Sequence, residues 1–76
     1  MRDFDDAITD ATRLLAVDPK NAKALLRRGT CYEHVEKHKK CIADMEAVLS
    51  IDPSHKQAKD IKNRVQKVMK SLGLEW

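Results

Sequence analysis

Two stretches of the chain, "AVDPKNAKA" at 16–24 and "SIDPSHKQA" at 50–58, stand 34 residues apart. At the same offset Ile8 falls on Ile42, Asp10 on Asp44, Leu15 on Leu49, Asp18-Pro19 on Asp52-Pro53 and Ala24 on Ala58. A period of this length belongs to stacked units that each bury an apolar face only against a neighbour. The unit here is helical. The apolar spacing repeats at three and four, and glycine and proline are scarce, at two each in 76 residues.

The punctuation predicts four helices. The first covers 4–16, with Phe4, Ala7, Ile8, Ala11, Leu14 and Leu15 on one face, and Asp18-Pro19 ends it. Asn21 caps a second over 22–35, whose inner residues are Leu25, Gly29 and Tyr32. A third over 38–50 carries Cys41, Ile42, Met45, Val48 and Leu49 and stops at Asp52-Pro53. Ser54 and Gln57 read as a capping box for a fourth over 55–72, with Ala58, Ile61, Val65, Val68 and Leu72 inward. A turn is expected at 35–37. "EHVEKHKK" holds neither glycine nor proline, so a single long helix over 22–50, closed by a second molecule in a swapped dimer, is the alternative.

Leu25, Arg28, Gly29, Tyr32, Cys41, Met45 and Pro53 follow the spacing of the tetratricopeptide repeat, and the chain resembles that family over residues 4–72. Arg28 departs from the pattern, which usually has leucine there. Phe4, Ala7, Ala11, Leu14 and Pro19 fit the second half of a preceding repeat. Lys59, Lys62, Asn63 and Gln66 do not fit a following one, and they resemble the polar helix that closes such arrays. The resemblance implies an all-α superhelical segment. It would consist of the second helix of one repeat (4–16), one complete repeat (22–50) and a capping helix (55–72), at the end of a larger array.

The stretch "CYEHVEKHKKC" spaces two cysteines and two histidines as if for a metal. A turn at 35–37 puts Cys31 and His34 on one helix and His38 and Cys41 on the next, so no zinc site and no Cys31–Cys41 disulfide is expected. Two cysteines without a secretory signal read as free thiols. No apolar run approaches membrane-spanning length. Residues 1–50 hold nine basic and nine acidic residues, and 51–76 hold six and three, so the net +3 arises in the last third. That basic helix lacks aromatic residues among its cations, which speaks against nucleic acid, and it reads as a solvated outer face; no membrane partner is expected either. No catalytic constellation or phosphate-cradling loop is present. The reading is a non-enzyme without a cofactor.

Lys23 and Arg27, four apart, share one helix face with Thr30 and, one turn on, His34 or Glu33; His34 is taken as the groove residue, and Leu26 lies beside them. First helices of stacked pairs line a concave surface, so Lys23, Leu26, Arg27, Thr30 and His34 are expected to line a groove. Lys-x-x-x-Arg here resembles half of the carboxylate clamp of tetratricopeptide co-chaperones. The resemblance implies that Lys23 and Arg27 hold the acidic EEVD tails of cytosolic heat-shock chaperones, in the cytoplasm. The rival is a purely structural scaffold segment with no carboxylate-binding groove. The first helix lacks a partner on one side. Ile8, Ala11 and Leu15 are therefore expected to be partly uncovered and to promote self-association. Trp76, beyond Gly73, is expected to be loosely held.

Overall fold

The computed structural model describes residues 3–73. Trp76 lies outside them. Four helices follow in order: α1 (Phe4–Val17), α2 (Ala22–His34), α3 (His38–Ile51) and α4 (Lys56–Ser71). Each packs on the next, and α2 also touches α4. The described residues contain no strand.

Three of the four helix starts are capped by a side chain that accepts from an exposed backbone N–H, whereas Lys37 at the start of α3 makes no such bond. The Asp3 carboxylate accepts from the N–H of Asp5 at 3.2 Å, with Asp5 and Asp6 favourably placed in the first turn of α1. The Asn21 side chain accepts from Ala24 at 3.0 Å. At α4 the expected capping box is replaced. Ser54 is tied to Asp52, its hydroxyl donating to the carboxylate at 2.9 Å, and His55 Nδ1 accepts from Ala58 instead. The Asp-Pro corner uses Ser54 for its own turn, which moves the cap one residue on.

The corner at Val35–Lys37 forms the hairpin and not a continuous helix. Lys37 N–H donates to the Tyr32 carbonyl at 2.8 Å and Glu36 N–H to Glu33 at 3.1 Å, the double closure that ends many helices. The closure requires a left-handed residue, and Glu36 supplies it at φ 62°. A non-glycine residue adopts that conformation at a cost of about 1–2 kcal/mol.

Cys41, Ile42, Met45, Val48 and Ala58 are fully shielded and form the centre, with Leu15, Ala24, Leu25, Ile61, Val65 and Met69 around them. Gly29 makes the α2–α3 contact close. A Cβ there would stand 2.2 Å from the Met45 methyl and 3.2 Å from Asp44 Cβ. On α4, Met69 takes the inner place expected for Val68, because four residues after Val65 the helix returns to the same stripe. Val68 is 40% exposed, and Leu72, the residue that ends the helix, is 61% exposed. On α1, α2 covers Ala7, Ala11 and Leu15, so the last two are buried, contrary to expectation. The uncovered apolar residues are Phe4, Leu14 and Val17, with Ile8 partly buried.

Arg28 does not pack as a leucine would. Its Nε and Nη2 donate to the two oxygens of Asp44 at 2.8 and 2.7 Å, and Nη1 reaches the Thr12 hydroxyl at 3.3 Å. Asp44 is otherwise buried, and the paired geometry compensates for its desolvation. The Asp44 hydrogen bonds push the Arg28 pKa up further. Three helices, α1, α2 and α3, thus meet at one guanidinium.

Candidate functional site

A hollow of about 770 Å³ runs along α1 and α2. Its α1 wall is Phe4, Asp10, Ala11 and Leu14, and Gln57 at the start of α4 closes one border. From α2, Lys23, Leu26, Arg27, Thr30 and His34 all reach it. The five residues read as one face in the sequence therefore border one space. They do so because a straight helix repeats every 3.6 residues and Leu25 and Gly29 hold the opposite face of α2 in the core.

Lys23 and Arg27 are exposed, and neither has an ion-pair partner among the described residues. Other cations nearby are engaged. Arg28 is held by Asp44, and Arg64 of α4 donates from Nε and Nη2 to both oxygens of Glu33 on α2 at 2.7 and 2.8 Å. Those bonds hold the Glu33 carboxyl below the usual carboxylate range, against the opposing effect of burial. The hydroxyl of Thr30 donates to the Leu26 carbonyl at 2.8 Å, which leaves its lone pairs available to a ligand.

His34 stacks on Phe4, with ring centroids 4.7 Å apart and planes 5° from parallel. The contact ties the end of α2 to the start of α1 and shapes one end of the hollow. Sequence reasoning missed it. No local signal marks it, because the two rings stand thirty residues apart on different helices. His38 Nδ1 is buried without a hydrogen-bond partner among the described residues.

The cysteines separate. Cys31 borders the hollow, where burial pushes its thiol up against the opposing pull of Arg27. Cys41 lies under α2 with no exposure, and burial pushes its thiol to about 12. Both are free thiols. No helix among the described residues is long and apolar enough to cross a membrane.

No family model matches the chain. It is 43% identical over 72 residues to mitochondrial import receptor subunit TOM34 of Rattus norvegicus, a match that covers 93% of this chain and 23% of that protein. It is 35% identical over 68 residues to sperm-associated antigen 1 of Mus musculus, covering 90% of the chain and 8% of the relative. Protein PHOX1 of Arabidopsis thaliana is 33% identical over 73 residues, covering 96% and 10%. The chain thus spans less than a quarter of the length of these relatives. Its 34-residue period and the antiparallel helix pairs that the period builds are those of a tetratricopeptide-repeat segment, and its sequence is similar to part of each of these longer relatives.

Proposed function

We propose that the hollow along α1 and α2 receives the acidic C-terminal tail of a partner protein, with Lys23 and Arg27 as its anchors. The observation that supports this reading is the pairing of two neighbouring cations on the rim, both without a carboxylate partner among the described residues. Like charges four residues apart on a helix repel, and an anion between them relieves that cost. Lys23 Nζ would donate to the terminal carboxylate and Arg27 to a nearby carboxylate or main-chain carbonyl. Such charge-assisted bonds are worth about 1.5–3 kcal/mol each. Leu26, Thr30 and His34 would bound the rest of the tail. Within the family resemblance, the partner is a heat-shock chaperone ending in EEVD and the setting is cytoplasmic.

The test is a nuclear magnetic resonance titration of the chain with an EEVD-ended peptide. Weak binding, near millimolar, is expected, because Lys23 and Arg27 make up half of the clamp that the resemblance implies. Arg27→Ala should weaken it roughly tenfold, and Lys23→Glu more. Amidating the peptide terminus should remove most of the affinity. Equal binding by wild type and Lys23→Glu would sink the proposal and leave the scaffold reading.

A further inference from the structure

The other concentration of unpaired charge is on α4. The helix carries Lys56, Lys59, Lys62, Arg64, Lys67 and Lys70 against one acid, Asp60. Two of the cations are spent inside the fold, Arg64 on Glu33 and Lys62 on Glu46 at 3.4 Å. Asp60 acts on Arg64. Lys56, Lys59, Lys67 and Lys70 remain, all exposed and without an ion-pair partner among the described residues.

Their spacing is not scattered. At 3.6 residues per turn the four lysines fall within about 80° of the helix circumference, and the stripe runs about 21 Å along the axis. Asn63 fills the gap in the middle, so no carboxylate interrupts the stripe. Directly opposite lie the buried Ala58, Ile61, Val65 and Met69, so the stripe points straight out from the core. It is also separate from the hollow, which α4 borders only through Gln57.

We infer that the Lys56–Lys59–Lys67–Lys70 stripe of α4 is a second docking surface, for an extended acidic segment of a protein partner. Charge complementarity selects an anion, and the single straight row matches one chain of carboxylates. Two other polyanions fit less well. The exposed apolar residues of this helix, Val68 and Leu72, stand off the stripe beside the buried face, so lysines and apolar groups would not meet a lipid surface together. The helix has no aromatic residue to stack on a base, and the stripe has no arginine to grip one.

The experiment uses the whole chain and a synthetic glutamate-rich peptide amidated at its C-terminus, so that the Lys23–Arg27 pair has no terminal carboxylate to take. Resonance shifts should concentrate on the four lysines. Lys67→Glu with Lys70→Glu should weaken binding about tenfold or more, by loss of two attractions and gain of two repulsions. Two controls separate this surface from bulk charge and from the groove. Lys20→Glu with Lys39→Glu carries the same charge change elsewhere and should leave binding within about twofold, and the resonances of Lys23 and Arg27 should stay in place while those of the four lysines shift. Equal losses in the two double variants, or no binding, would overturn the inference. Tighter binding of duplex DNA or phosphatidylserine vesicles through the same lysines would overturn the assignment to an acidic protein. Failure here leaves the EEVD titration untouched, and failure there leaves this one untouched. Circular dichroism of each variant excludes loss of helix as the cause.

Discussion

Ile42 of α3 is completely out of solvent, whereas Ile8, one period earlier on α1, is only partly buried. Val48 is likewise sealed where its counterpart Leu14 keeps 45% exposure. The two helices carry the same pattern at the same offsets. They differ in their neighbours, since among the described residues α3 packs between α2 and α4 while α1 packs on α2 alone. In a repeat fold the sequence of a helix states which face is apolar, and the stacking decides how much of that face is buried.

Equal truncations at equivalent positions should break this equivalence most visibly. Ile42→Ala should cost about 2–5 kcal/mol, a loss that a domain of this size does not easily survive. Ile8→Ala should cost clearly less, and Leu14→Ala less than Val48→Ala despite removing more atoms. Urea melts of the four variants check the order, and equal losses at Ile8 and Ile42 would show that the two helices are covered alike.

Asp44 and Asp10 are another equivalent pair. Asp44→Ala strands the Arg28 guanidinium against the core and should cost about 2–3 kcal/mol. Asp10→Ala, on an exposed residue, should cost less. Combining Asp44→Ala with Arg28→Leu should recover most of the loss, since replacing both members of such a pair by apolar groups is often neutral. A double variant no more stable than Asp44→Ala alone would refute the pairing as the cause.

The smallest effect at neutral pH is that of Cys41, whose counterpart is Ala7. Its folded-state pKa is raised to about 12, so the folded chain keeps its proton longer than the unfolded chain does. Stability from this group is therefore full below the unfolded thiol pKa of about 8.5, and falls as pH rises through the interval up to the folded value. Within that interval the slope should approach about 1.4 kcal/mol per pH unit. Cys41→Ala, which copies the α1 residue, should flatten the alkaline limb while costing some packing at pH 7. An unchanged alkaline limb would show that another group governs it.

The four helices and the Asn21 cap are legible in the residues, because period, Asp-Pro and Asn21 act locally. The exceptions share one physical origin. Arg28 at a leucine position could be read only as a departure, because its carboxylate lies sixteen residues away on another helix. Its counterpart, an aspartate among the apolar residues of α3, was the available signal. The period predicts the corner at 35–37, but with no glycine there the spacing leaves a continuous helix open, and it is Glu36 that takes the left-handed conformation. The exchange of Val68 for Met69 depends on which stripe α3 covers, which the spacing of α4 alone does not fix. Lys23, Leu26, Arg27, Thr30 and His34 could be grouped from helical geometry, but the Phe4 ring beside His34 needed the packing of α1 on α2.

Among the described residues α1 packs on one helix, and this bears on the hollow that it helps to form. A helix held by one neighbour opens at lower free energy than one held by two, and such local openings precede the global one. Because α1 is a wall of the hollow, an opening of α1 by itself would dissolve the shape of the site with α2, α3 and α4 still folded. Any molecule that fills the hollow binds only the closed form, and mass action then returns part of its binding energy as order in α1. Affinity and the stability of this first helix are therefore coupled, and a substitution that never touches the ligand, such as one at Ala7 or Leu15 beneath α1, changes both together.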